Sequence, residues 1–210
     1  MTLIDNLIAG GYLRTPQIID AFRKIKRRDF VLPADFEKAE INEPLSIGYG
    51  QTISQPATVA FMLEKLQPRA GEKILDIGSG SGWTAALLAS LVAPSGKVYG
   101  LERIGELVEF ARGNLAKYDF FKKGIVKIFC ADGYNGLPEF SPFDKILVSA
   151  AAEEIPEELL EQLKIGGRLV MPLGRRFETQ SIIVVDKTSE GKFKQKEFPG
   201  FIFVPLIKDN

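Results

Sequence analysis

Residues 73–83 read KILDIGSGSGW, and this stretch decides the fold. The apolar run Lys73–Ile77 has the composition of a buried strand, and the segment Trp83–Val92 reads as a helix. The turn between them alternates glycine with serine: Gly78, Ser79, Gly80, Ser81 and Gly82. A strand, a glycine-rich turn and a helix in this order are typical of folds that present backbone N–H groups to a nucleotide-like ligand.

The spacing of the glycines argues against a dinucleotide ligand. The dinucleotide fingerprint G-x-G-x-x-G needs its last glycine where helix and strand pack closely, and the bulky Trp83 occupies that place. Asp76 lies two residues before the first glycine, where its carboxylate would repel a pyrophosphate but suits a ligand with an ammonium group. The turn therefore favours S-adenosylmethionine over NAD. A purely structural strand-to-helix turn is the alternative.

The overall composition excludes some classes of protein. The chain has 27 basic and 27 acidic residues, and this zero net charge argues against nucleic-acid binding by bulk phosphate attraction. No apolar run is long enough for a membrane span, and the N-terminus lacks the pattern of a signal peptide. The single cysteine, Cys130, is predicted to be a small core residue, and we expect a reducing, cytoplasmic location.

The absence of histidine restricts the chemistry. The chain has no histidine and one cysteine, which removes Ser–His and Cys–His nucleophile pairs and most transition-metal sites. We therefore predict no metal site. Methyl transfer from a sulfonium to an ionised carboxylate is a reaction that needs no imidazole base.

The order of the elements predicts an α/β fold. Amphipathic helices over 2–9 and from residue 15 precede 27–56, which we interpret as an ordered loop across the ligand cleft. A third helix is predicted over 56–66. Strands are then predicted at 73–77, 97–101, 125–130, 144–149 and 167–172, with helices at 83–92, 104–117 and 156–163. This alternation indicates a doubly wound, mostly parallel sheet of the Rossmann-like type.

The last segments change the pattern. Two strand-like runs, 181–187 and 192–207, are joined by a short turn without a helix and predict an antiparallel hairpin at one sheet edge. We predict a single domain over 1–210, in which 1–56 supplies N-terminal helices and the active-site loop. Residues 57–174 then form the cofactor-binding core and 175–210 the C-terminal hairpin. A monomer is expected.

Acidic residues follow two further strands of the predicted sheet. Glu102 ends the second strand, where such folds place an acid to accept both ribose hydroxyl groups, and the alternative is a solvated acid that caps the next helix. Asp132 and Gly133 end the third strand and can bind an adenine ring, with a plain Asx turn as the alternative. Because the carboxyl ends of parallel strands meet at one sheet edge, we expect these sites to converge near Asp76.

Six runs in order cover nearly the whole chain and carry a family resemblance. They are PLSIGYGQTISQP at 44–56, DIGSGSG at 76–82, LERIGELVEFARGNL at 101–115, ADGYNGLPEFSPFDKILVSAAAEEIP at 131–156, LLEQLKIGGRLVMPLG at 159–174 and FVPL at 203–206. With these runs the chain resembles the protein-L-isoaspartate O-methyltransferase family. The first run is specific to that family, whereas the second marks only the wider methyltransferase class.

The resemblance implies an enzyme of protein repair. It implies methyl transfer from S-adenosylmethionine, which leaves S-adenosyl-L-homocysteine, to the free carboxyl of L-isoaspartyl residues in damaged proteins. The ester then collapses to a succinimide that partly reopens to normal aspartate. The implied active-site residue is Ser54. The implied cofactor-binding residues are Ile53, Ser54, Gln55, Pro56, Thr58, Asp76, Gly78, Ser79, Gly80, Glu102, Asp132 and Gly133.

The chemistry of Ser54 agrees with this assignment. A substrate carboxylate is ionised at neutral pH, so catalysis reduces to holding oxygen, methyl carbon and sulfur in line. The Ser54 hydroxyl would orient the carboxylate by donating a hydrogen bond, although the same residue could instead cap the helix over 56–66. Four positions, Glu40, Asn42, Ala57 and Ile207, depart from the family pattern and bear on substrate preference more than on reaction type.

Two other functions stay open at this point. The first is a methyltransferase of the same fold that acts on another small molecule or polymer. The second is a non-catalytic protein that kept the fold and binds the cofactor or a partner.

Overall fold

The computed structural model describes residues 1–175 and 178–208. The strands described there are β1 (Leu45–Gly48), β2 (Gln51–Ile53), β3 (Lys73–Ile77), β4 (Lys97–Glu102), β5 (Val126–Cys130), β6 (Phe143–Val148), β7 (Leu163–Leu173), β8 (Gln180–Ser189) and β9 (Lys192–Phe201). The α-helices are α1 (Leu3–Ala9), α2 (Pro16–Lys24), α3 (Pro56–Leu66), α4 (Trp83–Val92), α5 (Gly105–Leu115), α6 (Asp119–Lys122) and α7 (Glu157–Glu161).

The central sheet has the strand order β5-β4-β3-β6-β7-β8-β9. Neighbouring strands from β5 to β7 pair in parallel, and β8 and β9 add to the edge in antiparallel orientation. The chain runs from β3 outward through β4 to β5, then returns to the other side of β3 with β6. This doubly wound arrangement with a C-terminal hairpin is the predicted fold, and it puts the switch point at the carboxyl end of β3.

The strand β3 lies in the middle of the sheet and is apolar on both faces. Ile74, Leu75 and Ile77 are buried, as parallel strands covered by helices require. The following helix α4 is apolar almost all round because it packs against β3 and β4 on one side and α2 on the other. Trp83 packs edge-to-face on Phe22, with ring centroids 5.6 Å apart. The N-terminal helices therefore cover α4, the helix that follows the glycine turn.

The first two helices begin as predicted but differ in detail. Thr2 and Asp5 form a reciprocal capping box at the start of α1. Leu3 and Leu7 form the buried face of α1, whereas the side chain of Ile8 is exposed. Thr15 precedes α2 without capping it, since its hydroxyl donates to Glu64 Oε2 at 2.7 Å.

Residues 27–56, here termed the lid segment, are more regular than the predicted loop. They contain two 3₁₀ helices, Arg27–Phe30 and Pro33–Lys38, followed by the antiparallel hairpin β1–β2. No periodic pattern in the sequence marks these elements, because each is only a few residues long. The segment ends directly at α3, whose bounds are the predicted ones.

The C-terminal prediction is wrong beyond residue 201. β9 ends at Phe201, and the next residues return to the carboxyl end of the sheet instead of extending the hairpin. Ala151 donates its N–H to the carbonyl of Val204 at 2.8 Å, and the N–H of Leu206 donates to the carbonyl of Ala151 at 2.7 Å. The FVPL run is therefore placed beside the ligand cleft rather than at the sheet edge.

Cys130 was predicted in the core, and this is also wrong. It is the last residue of β5, its side chain is exposed, and its thiol donates to the carbonyl of Arg103 at 3.7 Å. Among the helices of the described ranges, none is long and apolar enough to cross a bilayer.

Candidate active site

A cleft of about 860 Å³, which includes its open mouth, lies at the carboxyl ends of the central strands. The glycine turn after β3 forms its floor, and Glu102 and Gly133 contribute from the ends of the next two strands. The lid segment closes one side with β2 and Ser54, and residues 204–207 close another. Its position at the switch point is that of a small-molecule site in an open α/β fold.

The glycines of the turn are required by the backbone. Gly78, Gly80 and Gly82 all have positive φ, at 76°, 52° and 89°, a region that side chains strain. A Cβ on Gly80 would also lie 3.1 Å from Ile47 Cδ1, so the hairpin of the lid segment rests directly on the turn.

Most N–H groups of the turn donate within the protein, whereas the sequence pattern predicted that they face a ligand. The N–H groups of Gly78 and Ser79 both donate to the carbonyl of Leu101, at 2.9 and 3.0 Å. The N–H of Gly80 donates to Glu102 Oε2 at 3.0 Å, and that of Gly82 donates to the carbonyl of Ser79. The turn therefore shapes the cleft with its backbone surface, while the hydrogen-bonding capacity lies with neighbouring side chains.

Glu102 is buried and fixed at both carboxylate oxygens. Oε2 accepts from the N–H of Gly80, and Oε1 accepts from the N–H of Ile104 at 3.0 Å. Glu102 is not the solvated acid of the alternative, because its side chain is only 7% exposed and lines the cleft, although it does accept an N–H at the start of the next helix. Each carboxylate oxygen has a further lone pair, so the group can still accept hydrogen bonds from two hydroxyl groups.

Asp76 lies behind the glycine turn and does not line the cleft. It is fully buried, and Thr84 donates its hydroxyl to Oδ2 at 3.0 Å. The other oxygen, Oδ1, is buried with no hydrogen-bond partner in the described chain. Burial raises the pKa of Asp76 to about 7 against the hydrogen bond from Thr84 and the nearby Ser79 hydroxyl, which donates to the main-chain carbonyl of Asp76 at 3.0 Å, and Glu102 adds to the increase. A buried carboxylate with an unsatisfied oxygen favours a nearby cation.

Asp132 and Gly133 take different positions. Asp132 Oδ1 accepts from the N–H of Tyr134 at 2.8 Å, so the Asx turn that was the alternative is present. Gly133 lines the cleft, and a Cβ there would lie 2.4 Å from Ile77 Cγ2. The close approach of β3 explains why this position is a glycine.

The start of α3 excludes the capping role that was considered for Ser54. Asn42 caps this helix from a distance, because its Oδ1 accepts the N–H of Ala57 at 2.9 Å. Gln55 donates its side-chain amide to the carbonyl of Asn42 at 3.0 Å and accepts from Thr58. Ser54 is thus not the cap, and in the described chain its hydroxyl makes no hydrogen bond while the residue lines the cleft.

The structure brings together only part of the predicted set. The predicted residues that line the cleft are Ile53, Ser54, Gly78, Ser79, Gly80, Glu102 and Gly133. Those that do not line it are Gln55, Pro56, Thr58, Asp76 and Asp132. Sequence reasoning missed the roles of Thr84 and Asn42: a hydroxyl in the first turn after the glycines is a recognisable signal, whereas an asparagine 14 residues before the helix it caps is not.

Known proteins match this chain over its whole length. The profile described as Protein-L-isoaspartate(D-aspartate) O-methyltransferase (PCMT) matches residues 1–210. This chain belongs to the protein-L-isoaspartate O-methyltransferase family. The resemblance predicted from the sequence is therefore confirmed.

Members of the family from archaea are similar throughout. A protein-L-isoaspartate O-methyltransferase from Methanopyrus kandleri is 47% identical over 208 residues, which cover 98% of this chain and 89% of that protein. One from Aeropyrum pernix is 41% identical over 210 residues, which cover all of this chain and 80% of that protein.

A solved structure of the family has the same architecture. A Plasmodium falciparum chain described as a protein-L-isoaspartate O-methyltransferase superposes with a TM-score of 0.89 at 27% identity. The match covers 99% of this chain and 97% of the other, and that protein was crystallised with S-adenosyl-L-homocysteine.

Proposed function

We propose that this protein-L-isoaspartate O-methyltransferase holds the free carboxylate of an L-isoaspartyl residue against Ser54 in the cleft. The enzyme class and the cofactor, S-adenosylmethionine, follow from the family and from the S-adenosyl-L-homocysteine held by the Plasmodium falciparum chain. The observation that carries the proposal is the hydroxyl of Ser54, which lines the cleft without a partner because Asn42 caps α3 in its place.

The residues around the cleft fit the cofactor by their chemistry. Glu102 retains lone pairs for two ribose hydroxyl groups, and Gly133 lines the cleft at the end of the next strand, where its backbone can contact a flat base. The buried carboxylate of Asp76 favours the positive end of the cofactor, with its effect transmitted through the thin glycine turn. Asp132, Gln55, Pro56 and Thr58 support the site from behind the surface that a ligand touches.

The proposed reaction uses position rather than acid–base chemistry. The cofactor supplies a methyl group on a sulfonium, which a carboxylate oxygen can accept without any proton transfer. Ser54 donates a hydrogen bond to the other carboxylate oxygen and so fixes the direction of the attacking one. The lid segment, with Ile47 on the turn, excludes water from the reacting atoms.

We also propose that the chain works as one domain over 1–210, as a monomer in the cytoplasm. Its substrates are isoaspartyl peptides and proteins, without nucleic-acid or membrane partners. The balance of 27 basic and 27 acidic residues supports the absence of a nucleic-acid partner, and the single cysteine supports a reducing compartment.

A labelling experiment tests the substrate and the role of Ser54 together. The protein is incubated with methyl-labelled S-adenosylmethionine and matched peptides that contain either aspartate or isoaspartate. We expect base-labile label on the isoaspartyl peptide alone. Equal labelling of both peptides would contradict the substrate assignment.

Two serine variants separate the role of the hydroxyl from general effects. In Ser54→Ala we expect kcat/KM to fall about 100-fold, because the carboxylate loses its orienting donor, while S-adenosyl-L-homocysteine still binds. Ser95→Ala is the matched control, since Ser95 is exposed next to the amino end of β4, at the opposite edge of the sheet. Wild-type kinetics in Ser54→Ala would remove Ser54 from the mechanism.

A further inference from the structure

Arg27 is a buried charged residue whose hydrogen bonds all go to the main chain of the lid segment. It is only 2% exposed. Its Nη1 donates to the carbonyls of Ala39 and Ile41, both at 3.1 Å. Its Nη2 donates to the carbonyls of Glu43, at 2.7 Å, and Ser54, at 3.3 Å. One guanidinium therefore fixes four carbonyl groups, one of which belongs to the proposed catalytic residue.

The charge of Arg27 has no direct acidic partner in the part of the chain that the structure describes. Burial lowers its pKa to about 10, and Glu40 opposes the decrease from a longer distance. The side chain is therefore charged at neutral pH, although the interior disfavours a charge. The four carbonyls are the compensation, because charge-assisted hydrogen bonds are stronger than neutral ones.

Arg27 also contacts the element that follows the glycine turn. Its guanidinium carbon lies 5.4 Å from the centroid of the Trp83 ring, in a cation–π contact. Trp83 is the first residue of α4 and lines the cleft. Arg27 thus spans the space between the wall that carries Ser54 and the wall that carries the glycine turn.

The carbonyls that Arg27 binds flank the residue that caps α3. Ile41 and Glu43 stand on either side of Asn42, whose side chain holds the N–H of Ala57. The chain that leads from Ser54 into α3 is therefore fixed twice, once directly by Arg27 and once through Asn42. Only the forked, planar donor set of arginine can reach all four acceptors from one position.

We propose that Arg27 is a positioning residue for methyl transfer, which sets the distance and direction of Ser54 relative to the glycine turn. The inference rests on the proposed role of Ser54. A shift of about 1 Å in a group that orients the substrate can cost about 100-fold in rate. Loss of Arg27 leaves four carbonyls without their donor and frees the backbone of Ser54 to make such a shift.

A second cavity makes a chemical test possible. It lies between α1, α2 and Trp83, encloses about 830 Å³ including its open mouth, and has Arg27 in its wall. In Arg27→Ala this cavity extends to the place of the missing side chain, so a guanidinium ion from solution can enter and donate to the same carbonyls. No other part of the site needs to change.

The experiment compares Arg27→Ala and Arg27→Lys with Arg28→Ala, a control in which the neighbouring exposed arginine is removed. We expect Arg27→Ala to lower kcat for the isoaspartyl peptide about 100-fold, with the Kd of S-adenosyl-L-homocysteine changed less than about 3-fold. Millimolar guanidinium chloride should raise the kcat of Arg27→Ala at least about 10-fold, whereas the same concentration of sodium chloride should not. Arg27→Lys has a single point charge in place of the planar donor set, so its kcat should be only slightly higher than that of Arg27→Ala.

The outcomes separate this inference from the proposed function. If the wild-type protein does not methylate the isoaspartyl peptide, the function fails and Arg27 has nothing to position. If the wild type is active and folded Arg27→Ala keeps its kcat, Arg27 serves stability alone. A loss of kcat that guanidinium does not restore, in a variant that still binds S-adenosyl-L-homocysteine, also overturns the inference. Should Arg27→Ala fail to fold, wild-type kcat in Arg27→Lys would overturn it equally.

Discussion

Glu102 Oε2 accepts the N–H of Gly80 at 3.0 Å, so the acid at the end of β4 is fastened to the glycine turn at the end of β3. The other oxygen accepts the N–H of Ile104 at the start of α5. One carboxylate therefore joins the two loops that face the cleft. A ligand that binds this carboxylate is therefore held at a fixed position relative to both loops.

Glu102→Gln should weaken cofactor binding more than it weakens the fold. The amide keeps one acceptor, but its NH₂ group then faces one of the two backbone N–H groups. We expect the Kd of S-adenosyl-L-homocysteine to rise about 10–100-fold, since hydrogen bonds to charged groups are worth about 1.5–3 kcal/mol. Titration calorimetry measures this. Glu106→Gln, on the exposed first turn of α5, is the control, and equal affinities in both variants would contradict the prediction.

The buried Asp76 should make stability decrease as the pH rises. Its pKa is about 7 in the folded protein because of burial, whereas an unfolded aspartate ionises near about 4. Between these values the folded protein keeps a proton that the unfolded chain has lost. The contribution of Asp76 to the free energy of unfolding therefore falls between about pH 4 and pH 7 and is constant above. Urea unfolding at several pH values should show this slope, and Asp76→Asn should remove it.

Asp144 provides a control with the opposite sign. Its pKa is lowered although burial acts in the raising direction, because Lys164 and the N–H of Lys73 donate to it. Its stabilisation is present at neutral pH and is lost in acid as the pH falls through the lowered pKa. Asp144→Asn should thus reduce stability at pH 7 and leave the Asp76 slope in place. If Asp76→Asn and the wild type showed the same pH dependence of the free energy of unfolding, the titrating group would be a residue other than Asp76.

Cofactor binding should release a proton from Asp76. At about pH 6 this carboxyl is mostly protonated, and a bound cationic group favours the ionised form. We expect binding of S-adenosyl-L-homocysteine, which carries an ammonium group, to release up to about one proton near pH 6 and almost none above about pH 8. Calorimetry in two buffers of different ionisation enthalpy measures the number. Release that persists in Asp76→Asn would assign the proton to another group.

The alternating core was predictable because its signals are local. Each glycine of the turn after β3 has a positive φ, which only glycine adopts without strain. The glycines in the sequence therefore indicate the turn. The strands beside it are short apolar runs separated by amphipathic helices, a pattern that a parallel sheet imposes. Glu102 was predictable for the same reason, since strand order places it at the carboxyl edge.

The lid segment and the roles within it were not predictable, because they depend on contacts between distant residues. Asn42 caps a helix that begins 14 residues later, and Arg27 binds carbonyls up to 27 residues away. Neither has a local signature, so Ser54 looked equally suited to the cap. The end of β9 was missed because the apolar FVPL run fits a strand as well as a cleft wall.

Gly100 and Gly113 give a matched pair for testing the packing beneath the glycine turn. A Cβ on Gly100 would lie 2.4 Å from Ile128 Cδ1 and 2.5 Å from Ser79 Oγ, so Gly100→Ala should destabilise the protein by about 1–3 kcal/mol. Gly113 is exposed in α5 with nothing near its Cβ position, and Gly113→Ala should stabilise by up to about 1 kcal/mol. Thermal unfolding of both variants checks the opposite signs. A stable Gly100→Ala would contradict the prediction and show that the side chains of Ile128 and Ser79 rotate to make room for the methyl group.

Tyr118 anchors the start of the lid segment to the core. Its hydroxyl donates to Asp29 Oδ2 at 2.6 Å and accepts the N–H of Lys26 at 3.1 Å. Burial, together with Asp29, raises the pKa of Tyr118, so the phenol remains a donor well above neutral pH. Tyr118→Phe leaves both partners unsatisfied and should reduce stability by about 1–3 kcal/mol.

The effect of Tyr118→Phe on catalysis should be small, because Arg27 still holds the carbonyl of Ser54 and Tyr118 makes no hydrogen bond to that residue. We expect kcat within about 3-fold of wild type and faster amide hydrogen exchange over residues 26–41. Tyr12→Phe, at an exposed position, is the control. A loss of kcat as large as that expected for Arg27→Ala, without faster exchange, would mean that Tyr118 acts on the site by another route. Such a result would transfer part of the positioning role from the guanidinium to the end of α5.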